Sequence, residues 1–262
     1  MDSSYWRRQD PDKALFPDIE WSKPEQRSMA GRLGIIGGNK LGFAGVADAY
    51  ETAKAAGVGD LRVLLPDALQ KTIPRTIIDT VFGPTTLSGS LSKEALDEML
   101  ALGDWAQATL LIGDAGRNSE TAIAYEAFVT RYQKPLIITR DAVDLVKNAS
   151  TLLVERPETL LVVAFAQLQK LFQAVYYPKI LTFSMQLASL VEAVHKFTIT
   201  YPVTIAVLHK EHFVIAHNGQ VVSMPWDNPM AIWRGSVATR AATYWLWNPG
   251  KPLEAISESI RT

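Results

Sequence analysis

The chain has 262 residues, and 48% of them are apolar, enough to bury a sizeable core within one α/β unit. Its 26 basic and 27 acidic side chains leave a formal charge of −1, so no cationic excess exists to release counterions from a nucleic acid. With no cysteine, disulfides and thiolate-held zinc are excluded, and a reducing, cytoplasmic setting is expected.

Residues 1–31 are rich in charge and proline, with Trp6, Phe16 and Trp21 scattered among them. They read as an extended N-terminal arm lying on the main body, and they hold no apolar run of signal-peptide length. The most apolar run of the chain, LLVVAFA at 160–166, is far shorter than the roughly 20 residues of a membrane helix. From residue 32 strands and helices alternate, and 32–262 read as a single domain. RLGIIG at 32–37 predicts a buried strand, AGVADAYETAKAAG a helix stopped by Gly57, and LRVLLP a strand ended by Pro66. DALQKTI reads as a short helix, TVFGP as a strand and 91–102 as a helix. ATLLIGDAG is a strand running into a glycine turn, followed by an amphipathic helix from Ser119, its predicted cap. KPLIIT and ETLLVVA are strands, RDAVDLVKNA and FAQLQKLFQAV helices, and 183–197 a further helix. VTIAVLH, HFVIAH and QVVSMP predict three strands, the last two turned by Asn218-Gly219. Helices at 236–247 and 252–259 close the chain. This order predicts an α/β fold: a mostly parallel central sheet with helices on both faces.

Two glycine turns follow apolar strands, GIIGGNKLGFAG at 34–45 and GDAGRN at 113–118. In a parallel sheet ligands bind beyond the carboxyl ends of the strands, where glycines admit a phosphate and a helix start offers free amides. Neither turn has the GxGxxG or GxxxxGK[ST] spacing, so a tight strand-to-helix turn explains them equally. Of the histidines, His209 and His212 stand on consecutive strands, where alternation is expected to send them to opposite faces as surface or loop groups; no metal site is expected. The tryptophans 226, 233, 245 and 247 suit a core, a subunit interface or a stacking platform.

In order and spacing of these segments, over roughly residues 30–258, the chain resembles the ADP- or ATP-dependent NAD(P)H-hydrate dehydratases of the ribokinase-like fold. GRLGIIGGNKLGFAGVADAY resembles the family's first strand, glycine turn (Gly37, Gly38, Asn39) and Gly-Tyr-Thr-Gly-Ala helix start. Gly42, Phe43, Ala44 and Gly45 stand at those places, with Val46 at the alanine. LLIGDAGRN is similar to the Gly-Pro-Gly-Leu-Gly loop, one residue shorter, keeping Gly113 and Gly116. Thr139–Asp144 fill the Asp-Ala-Asp-Ala-Leu-Asn motif, with Asp141 at its second aspartate. VTIAVLHKEHFVIAHNGQVVSMPWDNP resembles the strand, Lys-Gly-Ala loop and hairpin before the anion hole. His209, Lys210 and Glu211 replace Lys-Gly-Ala, and Asn228 closes the stretch.

The resemblance implies a three-layer sandwich, a nucleotide ligand (ATP or ADP, with magnesium), an NAD(P)H-type ligand, and a homo-oligomer. The charge balance and the shortness of the apolar runs lead us to expect no nucleic-acid and no membrane partner. Two departures bear on chemistry. Ala164-Phe-Ala-Gln167 stands where the family has His-Pro-Gly-Glu. Arg234, Gly235, Ser236 and Val237 stand where it has Gly-Ser-Gly-Asp, so the family's catalytic base is a valine, and no acid lies between 230 and 247. Asp141 is the surviving acidic candidate, for a magnesium water, a substrate hydroxyl or a helix cap. Three readings stay open: a hydrate dehydratase with weak or lost catalysis, a binder of nucleotide or dinucleotide without turnover, and a scaffold with a vestigial cleft.

Overall fold

Period-two alternation of apolar residues sends successive side chains of each strand to opposite faces, and both faces are covered by helices. The structure, a computed structural model, describes residues 4–73, 76–77 and 79–261. Among them the chain order is β1 (Trp6–Arg8), α1 (Pro17–Trp21), β2 (Arg32–Gly37), α2 (Ala44–Ala56), β3 (Asp60–Pro66), β4 (Thr80–Gly83), α3 (Leu96–Trp105), β5 (Ala108–Gly113) and α4 (Ser119–Arg131). Then come β6 (Leu136–Thr139), α5 (Asp141–Leu145), α6 (Ser150–Glu155), β7 (Thr159–Ala164), α7 (Phe165–Ala174), α8 (Leu187–Thr200) and β8 (Thr204–His209). The chain ends with β9 (His212–His217), β10 (Gln220–Pro225), α9 (Pro229–Arg234), α10 (Ser236–Trp247) and α11 (Pro252–Ser259).

The strands form one sheet in the order β1-β10-β9-β8-β7-β6-β5-β2-β3-β4. Only β9 runs against its neighbours; the other described pairings are parallel. Ile36, Leu111 and Ile138 point into an apolar layer with Met99, Phe128, Phe172 and Phe197, under α3–α8. Ile35, Leu110, Ile112 and Ile137 point to the other side, where Val46, Tyr50, Val237, Ala241 and Ile256 cover them from α2, α10 and α11. The result is the three-layer sandwich that the element order predicts.

From β2 the chain moves outward through β3 to β4; from β5 it moves the opposite way through β6 to β8. The direction therefore reverses between β2 and β5. Such a switch point leaves a crevice at the strand carboxyl ends, because the flanking connections depart to opposite faces.

The arm is held by its own chain. β1 pairs in parallel with β10, Trp6 Nε1 donates to Ser223 Oγ at 2.8 Å, and the Tyr5 ring stacks on His195 at 3.6 Å. Several elements differ from the sequence expectation. DALQKTI makes only a 3₁₀ turn (Asp67–Leu69), and the helix expected from residue 91 begins at Leu96, because Leu91 bridges back to Thr85 and buries its side chain. The helix expected at 183–197 starts at Leu187 and reaches Thr200. Helices α6 and α9 are additional; both are six residues long, too short for a helical period to show in sequence.

At the amino ends of β6 and β7 a buried cation ties the sheet without a carboxylate partner. Arg156 is 6% exposed; its Nη2 donates to Tyr132 O at 2.9 Å and to Lys134 O, and its Nη1 donates to Thr159 Oγ1 at 2.7 Å. Arg156→Met strips these carbonyls of their donors and is expected to lower stability by about 2–4 kcal/mol in urea denaturation. A loss under about 0.5 kcal/mol would show that water replaces the guanidinium.

Candidate functional site at the strand switch point

The β2 and β5 tips touch through glycine. Gly38 N donates to Gly113 O at 2.8 Å, and a Cβ on Gly37 would overlap the same carbonyl. The β2–α2 turn then reverses tightly, with Asn39 N on Gly42 O at 2.9 Å and Gly42 N on Asn39 O at 3.0 Å. Asn39 Oδ1 accepts from Leu41 N at 2.8 Å, and its Nδ2 donates to Asp114 O, tying this turn to the β5 loop.

Helix α2 has no local side-chain cap. Its cap comes from the next strand: Asp114 Oδ2 accepts from Gly45 N at 2.5 Å. Asp114 Oδ1 accepts from Arg140 Nη2, and the two side chains are 17% and 20% exposed. The guanidinium thus lies at the start of α2. A Cβ on Gly45 would overlap it, and one on Gly235, at the start of α10, would come within 3.5 Å of Arg140 Cδ. Arg140 Nη1 is buried with no hydrogen-bond partner. The backbone of Arg140 has φ 58°, rare for a side chain of its size. Gln167 holds it there, donating from Nε2 to Arg140 O at 2.8 Å and to Asp144 at 2.8 Å.

Asp141 accepts from Asp114 N at 2.8 Å and from Ala115 N at 3.1 Å. Both oxygens therefore clamp the β5 loop, and neither caps its own helix α5. The loop turns through Gly113 (φ 88°), which the clamp requires, since a side chain there would strike the Asp141 carboxylate. Burial first, then the charges of Asp141 and Asp114, push the Tyr125 phenol far above its ordinary pKa; its hydroxyl has no hydrogen-bond partner. Asn118, not Ser119, caps α4, accepting from Glu120 N at 2.8 Å, while its Nδ2 donates to Ser88 Oγ at 2.9 Å.

These loops border an open pocket of about 580 Å³. Asn39, Gly42, Gly116 and Asp141 line it, joined by Ser88, Ser90, Asp114, Arg117 and Asn118. Gly37, Gly45 and Gly113 form the closely packed framework behind it. The serines come from the β4–α3 loop, TTLSGSLS, whose small polar composition was the only trace of them in sequence.

The remaining expected site residues lie in two other places. His209 and Lys210 border a smaller hollow of about 340 Å³ with Gln186, Leu187, Glu211 and His212. His209 is buried rather than at the surface; its Nε2 bonds Met185 O at 2.9 Å and its ring stacks on Phe165 at 4.7 Å. His209 and His212 are also cross-strand partners over a two-residue turn, so they share a face instead of opposing one. Lys210 Nζ donates to Met185 O at 3.0 Å. No three metal-ligating side chains converge among the described residues.

The third place is the α9–α10 junction. Asn228 caps α9, accepting from Ala231 N at 3.2 Å, and Arg234 is exposed. Gly235 (φ 89°) ends α9 and opens α10, so this glycine turn joins two helices; Ser236 Oγ donates to Ala231 O at 2.8 Å. Val237 is 3% exposed within the apolar layer of α10. Of the tryptophans, Trp245 is core, Trp226 and Trp247 are half-buried, and Trp233 is 61% exposed.

No protein-family model and no curated protein matches the sequence. Solved structures do. The chain is similar to a ribokinase-like superfamily protein from Enterococcus faecalis V583, with TM-score 0.71, 15% identity, and 100% of this chain and 87% of that one covered. It is similar to the ADP/ATP-dependent NAD(P)H-hydrate dehydratase from Bacillus subtilis, co-crystallized with ATP/Mg2+ and soaked with CoA, with TM-score 0.62, 13% identity and coverage of 94% and 84%. A third likeness is to the pyridoxal kinase from Staphylococcus aureus in complex with AMP-PCP and pyridoxal, with TM-score 0.51, 11% identity and coverage of 88% and 85%. The fold is therefore ribokinase-like.

Gly45 is the position where geometry leaves least room. Gly45→Ala drives a methyl into the Arg140 guanidinium and is expected to open the Asp114–Arg140 pair, destabilising by about 2–4 kcal/mol in thermal or urea denaturation. An unchanged midpoint would show that the pair does not hold α2.

Proposed function

We propose that the protein binds a nucleotide or dinucleotide in the switch-point pocket and does not carry out the phosphoryl-transfer-assisted dehydration of the hydrate dehydratases it resembles. The start of α10 carries this reading. Where the resemblance places a proton-accepting aspartate, Val237 is packed into the apolar layer. Loss of a general base removes roughly 10²–10⁴-fold in rate. Asp141 is a poor replacement, because two main-chain amides hold its oxygens and stabilise the carboxylate against taking up a proton.

Binding is supported by the pocket itself. Its volume falls in the range of roughly 300–1,000 Å³ common for small-molecule sites, and amide and hydroxyl groups converge on it. The dehydratase and the pyridoxal kinase were each crystallised with an adenine nucleotide or its analogue. A magnesium ion held by the protein does not suit this pocket. Its lining carboxylates, Asp114 and Asp141, already accept from Gly45, Arg140, Asp114 N and Ala115 N, so any magnesium arrives with the nucleotide. A cytoplasmic homo-oligomer belongs to the same reading, with Met230 and Trp233, both exposed on α9, as its contact. No described helix is long and apolar enough to cross a membrane.

Thermal denaturation with ATP, ADP, NADH and NADPH tests binding: one of them is expected to stabilise, by roughly 2.7 kcal/mol at about 100 Kd. A flat response to all four would favour the scaffold. With hydrated NADH, ATP and magnesium, no recovery of nicotinamide absorbance above background is expected; recovery at an enzymic rate would refute the loss of turnover. Val237→Asp puts a carboxylate among apolar side chains, and a stability loss of at least about 2 kcal/mol is expected instead of restored activity.

A further inference from the structure

The β4–α3 loop buries one hydroxyl in the pocket wall and leaves it unanswered. Ser90 is 3% exposed, it lines the switch-point pocket, and its Oγ makes no hydrogen bond among the described residues. The oxygen is not one of the sealed orphan atoms of the core; what exposure it keeps is toward the pocket. A hydroxyl placed this way has given up most of its water without gaining a partner, an unfavourable state unless something in the cavity completes it.

The surroundings hold Ser90 there. Its carbonyl accepts from Thr86 N at 2.8 Å, its amide donates to Thr86 Oγ1 at 3.3 Å, and the residue bridges to Asn39 on the β2–α2 turn. Gly116 keeps the hydroxyl uncovered, since a Cβ at that position would come within 3.2 Å of Ser90 Oγ. Arg117, next on the same loop, is the cation of the pocket wall; it is exposed and has no ion pair among the described residues. The amides of Gly116 and Arg117 likewise have no acceptor among them. The other charges of the wall are already answered, Asp114 by Gly45 N and Arg140, and Asp141 by the amides of Asp114 and Ala115. The start of α4 is closed by Asn118. What this side of the pocket leaves over is therefore hydrogen-bond donors and a positive charge, the complement of an oxyanion.

We propose that Ser90 and Arg117 receive a phosphate group of the ligand, Ser90 donating its hydroxyl hydrogen and Arg117 its guanidinium hydrogens to the phosphate oxygens. The inference rests on the reading of the pocket as a nucleotide site and adds which residues hold the phosphate. Ser90, fixed by its loop, sets where the phosphate lies. Arg117, reaching in from the solvent side, supplies the charge.

Titration calorimetry on the full chain, with ATP, ADP, NADH, NADPH and sodium pyrophosphate as probes, tests this in wild type, Ser90→Ala, Arg117→Gln and Arg117→Lys. Neither side chain bonds to the rest of the chain, so without ligand all variants are expected to melt with wild type. Ser90→Ala and Arg117→Gln are each expected to weaken binding about tenfold. Arg117→Lys is expected to recover part of that loss, and wild-type affinity is expected to fall more steeply with added salt than that of Arg117→Gln. An unchanged affinity in Ser90→Ala or in Arg117→Gln overturns the proposal. So does a Ser90→Ala that melts well below wild type, because the hydroxyl would then serve the fold. The two readings fail separately. Pyrophosphate bound by wild type and weakened in both variants, with no response to the four nucleotides, removes the nucleotide reading and keeps the phosphate site. A nucleotide response that neither variant weakens does the reverse. Wild type that binds none of the five probes removes both.

Discussion

The ion pair between Asp114 and Arg140 is the point on which the centre of the molecule turns. Three strand tips meet there: β2 through Gly45 at the start of α2, β5 through Asp114, and β6 through Arg140. Parallel sheets leave these tips without ladder partners, and helix starts leave amides without acceptors. A carboxylate fixed between an amide and a guanidinium meets both needs. Because both side chains are more than three-quarters buried, the pair is not a screened surface contact; removing one partner strands the other charge in low dielectric.

That constraint explains the strained neighbours. Arg140 and Asp114 both have positive φ, at 58° and 55°, and each is held from outside its own turn. Gln167 on α7 secures the Arg140 carbonyl; Asp141 on α5 secures the Asp114 amide. Backbone strain of roughly 1–3 kcal/mol per residue persists only where surroundings over-determine it, and such places cluster at ligand sites. The residues at Gln167 and Asp141 thus act on the pocket indirectly, by fixing loops whose side chains border it.

The layers and the succession of strands and helices along the chain were legible because they follow from periodicity. Each long apolar run became a strand, and Gly57, Pro66 and Asn218-Gly219 stopped or turned the chain where their backbone preferences require. The glycines at 37 and 113 were also legible as turns at strand ends. What the sequence hid is which polar group answers which. Nothing local says that Asp141 clamps the preceding strand's loop, or that Asp114 caps a helix 69 residues earlier, because such bonds depend on neighbours in the sheet and not in the chain. The two histidines were misjudged for a related reason. Alternation along a single strand gives opposite faces, whereas a two-residue turn makes His209 and His212 partners across strands. Short helices such as α9 leave no period, so only the helix that opens after the glycine at 235 was expected, and not the one that ends there.

The α10 start and the switch point are built in different ways. At the α10 start, Ser236 bonds the α9 backbone and Val237 belongs to the core. A carboxylate placed there would have to be buried among aliphatic groups, so the position is no longer separable from folding stability. At the switch point the reverse holds. Several polar groups there border a cavity, and the Asp114 carboxylate in its wall is held by Gly45 N and Arg140. Selection on stability alone would favour filling such a hollow with apolar side chains, since well-packed apolar groups replace buried ion pairs at no loss. On the reading proposed above, occupancy by a ligand is what keeps this open, hydrogen-bonding cavity unfilled beside an apolar helix start.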